Sequence, residues 1–341
     1  MTLSRISLLD KPLVRGSSSL IGRVYAHSRA GVHALISHHR KETVRFSCLL
    51  IIVGLLSACC NNEAGTGTRD SHQFVPSDQI PLTKQRLLPL NTTMNTRDMG
   101  GYSTADGRRV KWGVLFRSDS LANMDDPDLA YLEELQLTTV TDFRSDSERE
   151  EAPDRLPQKP LAITYRTLPI NDPAVDAAAL GRKIFSGKLT QEELVGLLDR
   201  SDYIENPEMS LLWGQWVASL AEPGALPHMF HCTAGKDRTG FAAALVLLTL
   251  GVPKDQVMQD FLLSNTYLGP KIEESLKKIQ AHSEEDVDTD ILRQILGVSP
   301  NSLNGAIQAM ESKYGSIDEY IELGLGIDLA TRLKLQAVLL E

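Results

Sequence analysis

The chain is poor in cysteine and in aromatic residues. Four of 341 residues are Cys and 6% are Phe, Trp or Tyr. Cys48 lies in an apolar run, Cys59 and Cys60 close that run, and Cys232 stands alone in the rest of the chain. No disulfide framework can be built from this distribution, so Cys232 is either a small buried hydrophobe or a nucleophile. Long apolar runs are missing too. Phe46–Cys60 is fifteen residues, short of the roughly 20 that cross a hydrocarbon core, which excludes a multi-span membrane protein. An excess of positive charge is also absent. The formal net charge is -9; residues 1–58 hold eight Lys/Arg and two Asp/Glu, leaving 27 basic and 42 acidic side chains, or -15, for the remainder. So acidic a remainder excludes a general nucleic-acid binder, which needs clustered cations for phosphate contacts. What is present, 42% apolar and 23% charged residues, is ordinary globular composition with enough apolar side chains for a sizeable core.

Arg40, Lys41 and Arg45 precede the apolar run, which ends Leu56-Ser57-Ala58-Cys59. A basic stretch, a short apolar stretch and small residues before a cysteine resemble a bacterial lipobox signal. The resemblance implies lipidation at Cys59 and an exported protein held at the bacterial cell envelope by its N-terminal lipid; a plain secretory signal or short anchor is the alternative. Residues 1–43 exceed what a signal needs, and translation from Val44 would give a compact one, so they read as a start-site artefact. His27, His33, His38 and His39 then form no metal site. Residues 1–58 are the signal segment and residues 59–86 a polar, lipid-anchored tether with a reach of about 25–30 Å. Residues 87–341 form one domain.

Within that domain Thr138–Phe143, Ala162–Ile170 and the short Met229–His231 read as strands. Gly240–Leu250 is almost wholly apolar and stops at Gly251 and Pro253, a buried helix with a glycine stop. Asp255–Ser264, Lys271–Ala281, Asp290–Leu296, Ser302–Lys313, Ile317–Leu323 and Leu329–Leu340 follow with amphipathic spacing. Strands early and helices late predict an α/β domain: a central, mostly parallel sheet flanked by helices, with a helix-rich C-terminal part. Trp213 and Trp216, three apart in an apolar stretch, read as core. Asp286, Asp288 and Asp290 alternate like a calcium loop, but Ile291 and Gly297 replace its glycine and closing glutamate, so the run is a solvated helix start.

Between the short strand and the buried helix lies His231-Cys232-Thr233-Ala234-Gly235-Lys236-Asp237-Arg238-Thr239-Gly240. Cysteine and arginine six apart are weak evidence alone; their place at a strand-loop-helix junction makes them strong. Such a junction presents successive backbone N–H groups and a helix N-terminus, an anion cradle formed here by Thr233, Ala234, Gly235 and Lys236. Loop environments of this kind lower a thiol pKa from about 8.5 to about 3.5–7.5. The same amides would hold phosphoryl oxygens, and Arg238 can grip two of them in a fork. Cys232 attacks phosphorus, and water then releases phosphate from the phosphocysteine. The chemistry requires no metal and no cofactor. A rhodanese-like sulfurtransferase also uses a cysteine in a short loop, but Arg238 and the buried helix favour phosphate.

HCTAGKDRTG resembles the phosphate-binding loop of cysteine-dependent protein tyrosine phosphatases, in particular the secreted bacterial subgroup with H-C-x-x-G-K-x-R. Asn95-Thr96-Arg97-Asp98-Met99-Gly100-Gly101-Tyr102, Leu115-Phe116-Arg117-Ser118, Thr141-Asp142-Phe143-Arg144-Ser145, Asp260–Asn265 and Tyr314-Gly315-Ser316 are similar to further blocks of that subgroup. Thr96 departs from it, standing where an aromatic or apolar residue is commoner. The resemblance covers residues 87–341 as a phosphatase domain and implies phosphomonoester hydrolysis on phosphotyrosine proteins, with broad Ser/Thr or phosphoinositide specificity, or else a dedicated phosphoinositide phosphatase. It implies that Lys236 widens the pocket to more heavily phosphorylated ligands, that Thr239 bonds the departing sulfur, and that His231 fixes loop geometry. Two carboxylates compete as general acid: Asp237, within the loop, and Asp172, after a strand where other phosphatases carry a mobile acid loop. Arg97, Asp98, Arg117, Asp142 and Arg144 read as scaffold ion pairs. Asp172–Glu205 is long and polar enough to form a lid.

Overall fold

The structure is a computed structural model and describes residues 86–157, 163–170, 183–184, 188–283 and 287–341. Cys59, Asp172, the signal segment and almost all of the tether lie outside the described residues. In chain order the elements begin with strands β1 (Arg97–Asp98) and β2 (Leu115–Ser118), helix α1 (Asp126–Glu134) and strand β3 (Thr139–Asp142). Helix α2 (Asp146–Glu151) and strand β4 (Thr164–Thr167) follow, then helices α3 (Gln191–Leu198), α4 (Asp202–Glu205) and α5 (Pro207–Ser219). Strand β5 (His228–His231) runs into α6 (Arg238–Leu250), α7 (Lys254–His282), α8 (Thr289–Leu296) and α9 (Pro300–Tyr314). A short turn of helix, α10 (Ile317–Glu319), a π-turn over Tyr320–Gly324 and α11 (Leu329–Leu339) end the chain.

The five strands are ordered β1-β2-β5-β3-β4. Only β1 is antiparallel; β2, β5, β3 and β4 run parallel. Parallel central strands are covered on both faces, and their side chains alternate accordingly. Phe116, Val140 and Met229 join Leu121, Leu132 and Leu137 under α1. Leu115 and Phe230 face the larger core, with Phe143, Trp213, Trp216 and α6. Phe143 meets both indoles edge-on at 5.1 Å, the arrangement ring quadrupoles favour. Residues Thr239–Leu250 of α6 are all buried, as a helix apolar on every side must be.

Registers bring Ser118, His231 and Asp142 level at the carboxyl ends of β2, β5 and β3. In parallel sheets that end is where ligands bind. The main departure from the sequence reading is α7: the two helices expected over 255–264 and 271–281 are one, continuous through Pro270. A proline inside a helix costs about 3 kcal/mol. Here Leu268, Ile272, Leu276 and Ile279 bury against Leu194, Leu198, Leu292 and Leu296 of α3 and α8, and that burial offsets the lost bond. Asp288 caps α8, its carboxylate accepting from the Asp290 and Ile291 amides, so Asp288 and Asp290 stand at a helix start, as Ile291 and Gly297 predict; Asp286 lies outside the described residues.

Candidate active site

The loop leaves β5 at His231 and enters α6 at Arg238, with Cys232 buried at 3% exposure. Its curl depends on Gly235, whose φ is +65°; a Cβ there would lie 2.5 Å from the Ser118 carbonyl oxygen and 2.6 Å from the Asp119 nitrogen. Neighbouring groups tie down three successive loop carbonyls. Thr233 O accepts from the Ser120 amide (3.0 Å). Ala234 O accepts from Asn95 Nδ2 (3.2 Å). Gly235 O accepts from Asn95 Nδ2 (2.9 Å) and Arg117 Nη2 (2.8 Å). Each peptide is planar and trans, so a carbonyl turned one way sends the next N–H the other. The amides of Ala234, Gly235 and Lys236 therefore face away from these anchors, and among the described residues they donate to nothing. That is a nest for an anion.

The anchors rest on a buried ion cluster. Asp260 on α7 binds Arg97 Nε (3.1 Å) and Arg117 Nη1 (2.6 Å) and accepts from the Tyr102 hydroxyl (2.9 Å). Burial alone would raise its pKa, but the two guanidiniums hold the carboxyl well below the usual range. Burial lowers Arg117 to about 10, which leaves it a cation at neutral pH. Arg97 Nη1 donates to Asn95 Oδ1 (2.5 Å) and so orients the amide that grips the loop. Gly240 lets α6 approach this cluster, since a Cβ there would meet the Phe261 ring at 2.8 Å. Arg97 and Arg117, two of the residues read from the sequence as scaffold ion pairs, thus brace the cradle from behind, whereas Asp98 accepts from the Gly100 and Gly113 amides at 2.7 Å each.

A second cluster lies under the cysteine. His231 Nε2 is 3.0 Å from Asp154 Oδ2 and 3.9 Å from Asp142 Oδ2, ion-pair distances without hydrogen-bond alignment. Arg144 Nη2 reaches both carboxylates, at 2.7 and 2.8 Å, and the Tyr165 hydroxyl reaches both at 2.6 and 2.8 Å. Burial opposes a charge on His231, but Asp154 and then Asp142 outweigh it and raise its pKa above the ordinary histidine value. Its Nδ1 lies 3.2 Å from the Cys232 carbonyl oxygen, so the ring reaches the start of the loop. Asp142, Asp154 and His231 offer three atoms within 4.8 Å of one another, spacing a metal could use, but Arg144 and Tyr165 already occupy the carboxylates.

Arg238 does not project freely. Its Nη1 and Nη2 fork onto Glu148 Oε2 (2.8 Å) and Oε1 (2.7 Å), and the Thr233 hydroxyl donates to the same carboxylate. Burial raises the Glu148 pKa, but the Arg238 hydrogen bonds and charge, with Thr233 and the Ser145 amide, bring it down to about 2. Sequence reading missed Glu148. Its signal was Ser145-Asp146-Ser147-Glu148, a capping box at the start of α2, which announces a helix but not its partner 90 residues away.

Lys236 and Asp237 sit differently from the loop average. Lys236 is buried, its ammonium donating to Ile295 O (3.1 Å) and Gly297 O (2.8 Å) and pairing with Asp237 Oδ2 (2.8 Å). It ties the loop to the end of α8. Asp237 also faces Arg200 Nη2 at 3.6 Å. Burial raises its pKa, yet Lys236 and Arg200 together lower it below the ordinary aspartate value. Thr239 is fully buried, and its hydroxyl has no hydrogen-bond partner among the described residues. The structure thus brings together the loop residues Cys232 to Thr239, His231 and Glu148; Asp172 is outside the described residues.

A thiol under an amide nest, closed by a guanidinium at the carboxyl end of a parallel sheet, defines a cysteine-dependent site for a tetrahedral oxyanion. Comparison with known proteins agrees. A model of the tyrosine phosphatase family matches residues 88–341. The triple specificity protein phosphatase PtpB of Mycobacterium tuberculosis is 31% identical over 278 residues, covering 72% of this chain and 96% of that protein. A Cupriavidus necator protein named provisionally as a tyrosine-protein phosphatase is 29% identical, covering 77% of this chain and 94% of that protein. The chain belongs to the tyrosine phosphatase family. The crystal structure of P. aeruginosa TpbA, 18% identical, covers 55% of this chain and 89% of its own with a TM-score of 0.27, too slight a likeness to argue from.

Proposed function

We propose that the protein hydrolyses phosphomonoesters through a phosphocysteine at Cys232, acting on phosphotyrosine in proteins and accepting phosphoserine, phosphothreonine or phosphoinositide substrates as well. The observation that carries this reading is the loop between Cys232 and Arg238 at the end of β5, whose Thr233, Ala234 and Gly235 carbonyls are all tied down from outside. The thiolate attacks phosphorus and the P–O bond to the leaving group breaks. Arg238 and the amides of Ala234, Gly235 and Lys236 take the charge that spreads over the phosphoryl oxygens, and such preorganised donors supply the largest share of catalysis in sites of this kind. The leaving oxygen takes a proton from a carboxylic acid, Asp237 or Asp172. Water then attacks phosphorus, the S–P bond breaks, and the Thr239 hydroxyl, otherwise uncommitted, donates to the departing sulfur.

Breadth of substrate rests on two supports: the relative's name as a triple specificity phosphatase, and a nest built from backbone, which reads the phosphoryl group rather than the group that carries it. The test is hydrolysis of an aryl phosphate, phosphotyrosine, phosphoserine and phosphothreonine peptides, and phosphoinositide vesicles. Cys232→Ser is expected to lose at least about 10³-fold with every substrate, since covalent catalysis ends with the thiol, while still binding phosphotyrosine peptide. Retained turnover in Cys232→Ser would remove the phosphocysteine from the mechanism. Activity confined to the vesicles would restrict the enzyme to phosphoinositides.

A further inference from the structure

We infer that the outward face of α11, together with Trp112, rests on a lipid bilayer, so that the domain stands with its catalytic loop at the end remote from the membrane. Leu329 and Leu333 of α11 are 70% and 55% exposed. Ala330 and Ala337 are exposed beside them, and the spacing i, i+1, i+4 and i+8 puts all four on one side of the helix. Leu335 and Leu339, on the opposite side, are buried. A surface helix ordinarily keeps its outward side polar, and α11 does not. Trp112, 40% exposed, lies at the carboxyl end of the same helix. Its neighbour Lys111 donates from its amide to Leu339 O (2.8 Å) and from its ammonium to Ala337 O (3.2 Å) and Val338 O (3.1 Å). A half-exposed indole suits the boundary between water and acyl chains.

The occupant follows from where the tether joins the domain. Arg86, the first described residue, lays its guanidinium over the Trp112 ring at 4.9 Å and over the Tyr102 ring at 3.7 Å. Leu87 and Leu88 then run antiparallel to β1, meeting Arg97 and Thr96, and β1 is antiparallel to β2. The chain therefore enters from the amino end of the parallel strands, whereas Cys232 follows the carboxyl end of β5. Helix α6 spans the distance between. It leaves the catalytic loop at Arg238, and thirteen residues on, about 20 Å, its end meets α11, where Arg332 Nε donates to Thr249 O (2.8 Å). Residues 59–86, with a reach of about 25–30 Å from the lipid expected at Cys59, thus hold Trp112 and α11 nearest the bilayer. A second copy of the chain suits the strip less well. A helix of eleven residues shows roughly 16 Å by 10 Å on one side, far below the about 800 Å² per partner that a stable dimer buries.

The experiment reconstitutes the full chain into phosphatidylcholine vesicles, with or without bromine on the acyl chains near the headgroups, and reads tryptophan emission. Trp213 and Trp216 are buried, so quenching by bromine, which needs contact, reports Trp112, and Trp112→Phe supplies the blank. Wild type is expected to lose about half of the Trp112 emission, as a group held about 5–10 Å into the interface must. Leu329→Asn/Leu333→Asn is expected to cut that quenching about 3-fold or more. The same variant should keep the wild-type thermal midpoint and kcat/KM for an aryl phosphate, because both side chains lie in water at the end away from Cys232. Quenching in wild type no greater than the blank, or equal in wild type and the double variant, overturns the inference. So does a doubling of mass in light scattering that the double variant abolishes and that brominated vesicles leave unquenched, which gives the face to a second copy. Cys59 without a lipid in mass spectrometry would sink the anchor reading, while the quenching still judges the face.

Discussion

Asp237 illustrates how one side chain can be read only with its neighbours. A general acid must hold a proton when substrate is bound, but Lys236 at 2.8 Å and Arg200 at 3.6 Å favour its carboxylate. Phosphate entering the nest adds negative charge beside Asp237 and opposes that bias, which is how binding could load the acid. Asp237→Asn is expected to slow an alkyl phosphate by about 10²-fold or more, within the usual range for general acid catalysis, and a p-nitrophenyl phosphate far less. Equal loss on both substrates, measured as kcat/KM, would make Asp237 structural and transfer the role to Asp172. Lys236 carries a related lesson. Its position beside the nucleophile was legible, but two of its three partners were not, because Ile295 and Gly297 arrive from the end of α8 and the residue after it, 59 and 61 residues on.

At the scale of elements, β5 matters most because it is central. Flanked by β2 and β3, it delivers the cysteine from a strand that cannot fray at an edge, and it sets His231 against Asp142 and Asp154. A histidine whose folded pKa is raised stabilises the fold fully below its unfolded value, about 6.5, and loses that contribution as pH rises through the higher folded value. Between pH 6 and pH 9 the thermal midpoint of wild type is therefore expected to fall more steeply than that of Asp154→Asn, where the main support for the imidazolium is gone. Parallel curves in calorimetry would show that His231 is neutral in the folded protein. The helices teach the converse. Pro270 divides α7 in a reading based on propensity, and the apolar side chains that hold the helix together across it come from α3 and α8.

Across the whole molecule, charge sets how substrates arrive. Residues 59–341 carry 27 basic and 42 acidic side chains, while the cations of the site are drawn inward: Arg97, Arg117 and Arg144 are buried in ion pairs. A phosphorylated ligand thus approaches a protein whose net charge has its own sign. Screening has a range of about 8 Å at physiological ionic strength, so raising salt from 20 to 200 mM is expected to increase kcat/KM for an acidic phosphopeptide by about 3-fold. A basic phosphopeptide is expected to show the opposite slope. A fall with salt for both peptides would point to a cationic steering patch instead.

What the amino-acid order determined on its own is local. Cysteine, glycine and arginine within ten consecutive residues, between a short strand and an apolar helix, place thiol, curl and guanidinium within one turn of backbone, and no distant contact is needed to bring them there. The mostly parallel sheet and the helical tail were legible for the same reason, since periodicity is a property of neighbouring residues. Tertiary structure alone decided what surrounds the loop. Asn95 and Arg117 pull its carbonyls outward from 118 to 140 residues away, Asp260 orders them from α7, and Glu148 meets Arg238 across 90 residues. The meeting with Arg117 follows from strand order and register, because one residue of slip in β2 would turn that side chain to the opposite face of the sheet.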